Sequence, residues 1–192
     1  MLSVIIPTHD SERPLVQTLS ALVPGATAGL LAEVIVADAG SRDETEQVAE
    51  IAGCRFIQSG ATLGARLKAA AQSTRTPWLM FLRAGAVPDP GWIAAADRFL
   101  QETDMRADTA RAAVFRPPAA ADLLRPGFAE VMALLRVAFG GGAKPEQGLL
   151  ISRRFYDTLG GHPAEDDAEA ALLRKLGRRR TAMLPASARY LT

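Results

Sequence analysis

The stretch Val34-Ile35-Val36-Ala37-Asp38-Ala39-Gly40-Ser41-Arg42-Asp43-Glu44-Thr45 sets a carboxylate where an apolar run stops. Buried strands of open α/β sheets end in loops that form a ligand crevice beyond their carboxyl ends, and a carboxylate there accepts hydrogen bonds from ligand N–H groups. Asp38 is therefore the first candidate for a ligand contact. The competing reading is an aspartate that only caps its own turn. A second loop, Arg83-Ala84-Gly85-Ala86-Val87-Pro88, follows an apolar run and belongs at the same sheet edge. Cys54 has no His or Asp pattern beside it and is assigned to the core, as are Trp78 and Trp92.

The elements that must hold these loops follow from apolar periodicity. Leu2 to Ile6 is a β-branched strand that Pro7 should end, since proline cannot donate to a ladder. From Ser11, the spacing of Leu15, Leu19 and Leu22 predicts a helix that stops at Pro24-Gly25. Glu33 to Ala37 is a strand, Thr45 to Ala52 a helix closed by Gly53, and Cys54 to Gln58 a strand. Gly64 to Ser73 is helical, and Trp78 to Leu82 is a strand buried on both faces. Asp89-Pro90-Gly91 starts a helix over Trp92 to Thr103. Beyond it the pattern predicts a strand at Ala112 to Arg116, a helix from Gly127 to Phe139 and a flexible joint at Gly140-Gly141-Gly142. It ends with a strand at Gly148 to Ser152, a short helix over Phe155 to Leu159 and a charged helix from Asp166 to Gly177.

A chain of 192 residues, 48% apolar and 22% charged, suits one soluble domain of the α/β class. The formal charge of +1 argues against a nucleic-acid partner. The single cysteine excludes an internal disulfide, and Met1 to Pro7 lacks the layout of a secretory signal, so a cytoplasmic location is expected. The longest uncharged stretch, Pro14 to Ala32, is broken by Pro24, Gly25 and Gly29 and makes a poor membrane span. Peripheral contact with anionic lipid is open to the basic run Arg174 to Arg180, although such a run at a helix end is usually a solvated face.

Taken together, Val4-Ile5-Ile6-Pro7-Thr8, Val34 to Thr45, Phe81-Leu82 with Pro88, Gly160-Gly161-His162-Pro163 and Glu165-Asp166 resemble a family 2 glycosyltransferase of the GT-A fold. Within that family the chain is most similar to the short bacterial transferases associated with radical-SAM and selenium-related proteins. The resemblance runs from Met1 to about Arg180. It implies a Rossmann-like, mostly parallel central sheet flanked by helices in a single domain over residues 1–192, with a nucleotide-binding half (1–90) and an acceptor half (91–192). It also implies a UDP- or GDP-linked sugar donor and an acceptor that the sequence does not name.

The resemblance assigns roles residue by residue. Pro7, Thr8 and His9 open the first strand onto the nucleotide, Asp38 bonds the base, and Arg66 reaches toward the phosphates unless it is merely a solvated face. Asp166 takes the acceptor's proton, supported by Glu165, with a helix-start carboxylate as the plainer alternative. Gln147, Gly148 and His162 contact the sugar or acceptor, although a lone loop histidine is more often structural. Mg²⁺ or Mn²⁺ is usual in the family, held by an Asp-x-Asp motif. Arg83-Ala84-Gly85 stands in that place, so the ligands are missing and no cofactor is assigned. Either Arg83 supplies the positive charge in a metal-independent enzyme, or it points to solvent. A non-catalytic relative that acts as a nucleotide-binding or interaction module is the alternative function, and a nucleotidyltransferase is a weaker third.

Overall fold

The computed structural model describes residues 1–106, 110–117 and 143–191. The helix expected over Gly127 to Phe139 and the joint at Gly140 to Gly142 lie outside them. Among the described residues, eight strands form one sheet in the order β3-β2-β1-β4-β7-β6-β8-β5. They are β1 Leu2–Thr8, β2 Leu31–Asp38, β3 Arg55–Gln58, β4 Trp78–Phe81, β5 Ala86–Pro88, β6 Ala112–Arg116, β7 Leu149–Ser152 and β8 Thr181–Tyr190. β1 pairs in parallel with both β2 and β4, while β7 runs antiparallel to β4. The chain thus winds outward from β1 to β3 and then returns to the other side of β1. The carboxyl ends of β1 and β4 flank the point where winding reverses, which is where α/β sheets open a crevice.

Alternation along β1 serves two cores. Val4 and Ile6 face one layer with α1 (Glu12–Thr27) and α4 (Trp92–Met105), whereas Ile5 faces the layer of α3 (Leu63–Ser73), α5 (Arg153–Thr158) and α6 (Ala168–Leu176). Helix α2 (Thr45–Ile51) covers the β2–β3 side through Val48 and Ala49. Among the described residues, no helix is long and apolar enough to cross a membrane.

Several expectations need correction. β1 runs through Pro7 to Thr8, because β4 stops opposite Ile5 and leaves Pro7 no strand to donate to on that side. Helix α1 runs past Pro24 to Thr27: Gly25 packs under the Trp92 ring, and Ala28 still donates to the Pro24 carbonyl at 3.0 Å. Packing here overrides the breaker. The short strand β5 and the long β8 were not foreseen. Asp89 does start α4, its Oδ1 accepting from Gly91 N at 2.9 Å, and its Oδ2 also accepts from Ser187 N at 2.6 Å to anchor β8.

A helical Gly→Ala change usually gains about 1 kcal/mol. At Gly25 the added methyl would lie 2.5 Å from the Trp92 ring, and overpacking costs about 1–3 kcal/mol. Gly25→Ala is therefore expected to lose stability by about 1 kcal/mol, read as a drop of roughly 3 °C in Tm.

Candidate functional site

The loops at the carboxyl edge are tied together by carboxylates that serve their neighbours. Asp38 is fully buried. Its Oδ1 accepts from Thr8 Oγ1 at 2.8 Å and Ser41 Oγ at 2.5 Å, and its Oδ2 from the backbone of Gly40 at 2.6 Å and Ser41 at 2.7 Å. Burial alone would raise this carboxyl; the hydrogen bonds from Ser41, Thr8 and Gly40 outweigh it and hold the pKa below the ordinary value. A carboxylate has about four acceptor positions, and all are taken. The turn-capping role is therefore filled, and a contact to a nucleotide base requires one of these donors to give way.

Asp10, at φ 47°, accepts from Arg42 N at 2.7 Å, and its own N–H donates to Ser41 Oγ at 2.8 Å. Asp43 accepts from Glu12 N at 3.0 Å and Thr45 N at 3.1 Å, so one side chain caps both α1 and α2. Pro7 is half-buried within β1, whereas His9 is exposed on this loop pair.

Arg66 is not a solvated face. Its Nη1 donates to the carbonyls of Ala37 at 2.7 Å and Thr8 at 3.2 Å, across the ends of β2 and β1. Its Nε is buried without a hydrogen-bond partner. Burial lowers its pKa, against the nearby charges of Asp38 and Asp166. Helix α3 begins against the loop before α6: Gly64 N donates to the Glu165 carbonyl at 3.0 Å, and Leu63 N to Asp166 Oδ1 at 3.3 Å. A Cβ at Gly64 would collide with the Pro163 carbonyl, so only glycine lets the two backbones approach. Asp166 and Glu165 are both exposed; Asp166 caps α3 rather than its own helix, whose N-cap is Asp167.

Arg83 does not point to solvent either. Its Nε and Nη2 donate to Glu169 Oε2 at 2.8 and 2.5 Å, and its Nη1 faces Glu146 Oε1 at 3.5 Å. Glu169 is 8% exposed, in the first turn of α6. Burial drives its carboxyl up, and although Arg83 opposes this the pKa stays above the ordinary value; burial also works against the Arg83 charge, but Glu169 and Glu146 hold that pKa above the ordinary value. Gly85, at φ 94°, donates to the Pro14 carbonyl at 3.1 Å and to Thr18 Oγ1 at 2.9 Å, and accepts from Leu191 N at 2.8 Å. A side chain there would run into the Leu191 carbonyl. A paired guanidinium and a position without room for a carboxylate do not fit a divalent cation, and no group of three or more metal-ligating side chains occurs among the described residues.

Gln147 spends its amide on structure, donating to the Phe115 carbonyl at 2.7 Å and accepting from Lys144 N at 2.8 Å. Gly148, at φ 64°, packs against Leu82 and Phe81. His162 is 2% exposed beneath this edge, its Nδ1 paired with Tyr156 OH at 2.9 Å and its ring 4.7 Å from that of Phe81. The sequence reading missed Glu169 because a helix-start glutamate looks like a macrodipole residue; its burial became visible only with Arg83 opposite.

Burial lowers the His162 pKa to about 4 from 6.5. The unfolded chain takes up this proton first, so the contribution is whole above pH 6.5 and is lost as pH falls toward 4, by roughly 3 kcal/mol. His162→Gln, which keeps a hydrogen-bonding group near Tyr156, is expected to flatten that limb when urea unfolding is compared at pH 7 and pH 5.

The family model for glycosyl transferase family 2 matches residues 3–116. No curated protein matches the chain. Among solved structures, glucosyl-3-phosphoglycerate synthase from Mycobacterium tuberculosis, crystallised with Mn²⁺, UDP and glucosyl-3-phosphoglycerate, is similar at TM-score 0.68 and 20% identity, over 100% of this chain and 72% of that one. TarS 1–349 from S. aureus is similar at TM-score 0.72 and 16% identity, over 100% and 60%. Both likenesses are to the fold. The family match, the reversed winding at β1 and the loops gathered at its carboxyl edge agree: this chain belongs to glycosyl transferase family 2.

Proposed function

We propose that this chain transfers a sugar from a UDP- or GDP-linked donor to an acceptor hydroxyl in one inverting step, with Arg83 standing where relatives use a metal. The observation that carries the reading is the Arg83 guanidinium, half-buried at the end of β4 beside the point where the winding reverses. Family membership and neighbours crystallised with UDP and UDP-glucose support the donor class. The nucleotide lies across the loops that follow Thr8 and Asp38, and the diphosphate faces Arg83. As the acceptor oxygen bonds to the anomeric carbon, the carbon–phosphate oxygen bond breaks, and the leaving diphosphate takes the electron pair. A nearby cation stabilises that charge. The hydroxyl proton passes to Asp166.

Residues 91–192 supply the acceptor side. A cleft of about 450 Å³ between the Pro145–Gln147 turn and α6 is rimmed by Lys144 and Arg178, with Arg174 paired to Asp167, and the two cations suit an anionic acceptor. The neutralisation of Arg83 by Glu169 favours the second reading, a nucleotide-binding module without transfer.

Two measurements test this reading. Calorimetric titration with UDP and GDP, with and without Mn²⁺, is expected to show binding that ignores the metal and weakens about tenfold or more in Arg83→Ala. Absence of nucleotide binding would sink the proposal. For Asp166, the amide of Asp166→Asn can still cap Leu63 N but cannot accept the proton. Transfer from a nucleotide-sugar panel should fall about 100-fold or more in Asp166→Asn at unchanged Tm, whereas Asp166→Ala should also lose about 1 kcal/mol of stability. Equal rates for wild type and Asp166→Asn would leave Asp166 as a cap alone.

A further inference from the structure

We infer that Glu169 is a positioning residue: its buried carboxylate fixes the orientation of Arg83 and leaves one edge of the guanidinium to meet a diphosphate. The inference rests on the transferase reading, because the diphosphate is the ligand that reading supplies. Three carboxylates just before Glu169, those of Glu165, Asp166 and Asp167, are exposed, as expected at a helix start. Glu169 alone of the four is buried, and a carboxylate stays ionised in such a place only when it is paired.

The pairing is directional. Two N–H groups of one planar guanidinium, from Nε and Nη2, converge on the single oxygen Oε2 and so fix the rotation of the Arg83 head. Nη1 is left with Glu146 Oε1 at 3.5 Å, a longer contact to a side chain that is 48% exposed. A phosphate oxygen can replace that contact without disturbing the one to Glu169. The backbone beneath is fixed as well, since Gly85 is bonded to Pro14, Thr18 and Leu191. An arginine held this way loses little side-chain freedom on binding, which is the usual cost of using a long, flexible cation.

The test separates the diphosphate from the base. The full chain is titrated in EDTA with UDP against uridine and with GDP against guanosine, as wild type, Arg83→Ala, Glu169→Leu, Glu169→Gln and the double variant Arg83→Ala/Glu169→Leu. Leucine suits the buried site, and thermal unfolding verifies that each variant folds. Glu169→Leu is expected to weaken diphosphate binding about tenfold, to leave nucleoside binding unchanged, and to add nothing once Arg83 is gone. Glu169→Gln, which keeps an acceptor oxygen, should restore most of the affinity.

Wild-type diphosphate affinity in Glu169→Leu, with Arg83→Ala still weakened, would overturn the positioning role and leave the transferase reading standing. Loss of nucleoside binding along with diphosphate binding in Glu169→Leu would reduce Glu169 to a structural residue. Wild-type diphosphate affinity in Arg83→Ala, or no nucleotide binding at all, would bring down the reading itself.

Discussion

The helices that begin at the carboxyl edge of this sheet do not cap themselves. α1, α2 and α3 start at Ser11, Glu44 and Thr62, and none of those side chains bonds its own first turn. The exposed N–H groups of a helix start must find partners, and those of α1 and α3 find them in other loops. Asp43 serves α1 as well as α2, and Asp166 reaches α3 from the far half of the chain. Each loop is therefore held by a residue whose own position depends on another loop. The carboxyl edge behaves as one cross-linked unit, and Asp38, with all its acceptor positions filled, is a fully buried tie within it.

Within that unit the electrostatics differ from those of a metal site. A divalent cation needs several oxygen ligands and space for them, while Gly85 is closed over by Leu191 and Arg83 is already paired. A buried pair of this kind contributes little to net stability, because desolvating both ions offsets their attraction. Its value lies in geometry. The pair joins the end of β4 to the first turn of α6 and so links the strands on which a donor would lie to the helix whose entry loop carries Asp166.

Much of this was legible in the sequence. The apolar runs Leu2 to Ile6, Glu33 to Ala37 and Trp78 to Leu82 pointed to the parallel strands, and the loops after them to the functional edge. What stayed hidden depends on partners distant in the chain. Ligand contact and turn capping both stayed open for Asp38 because the donors of Thr8 and Ser41 are invisible without the fold. For Arg66 and Arg83 a solvent-facing reading stayed open for the same reason. Pro24 and Pro7 misled as breakers, because whether a missing N–H matters depends on what stands opposite it. β8 escaped notice because Pro185 interrupts it and its buried positions, Leu184, Ala186 and Ala188, are mostly small alanines.

β8 has a consequence for how the site is assembled. It pairs with β5 and β6 and is pinned by Asp89 to Ser187, residues separated by 98 positions. Contacts so distant along a chain require closure of a long loop and form slowly compared with local ones. The Arg83 loop draws part of its support from Leu191, next to the end of that strand. The cation-bearing loop is therefore held from two distant parts of the chain, by Pro14 in α1 and by Leu191 just after β8. Partial unfolding of β8 would then disable the edge while most of the sheet stays intact.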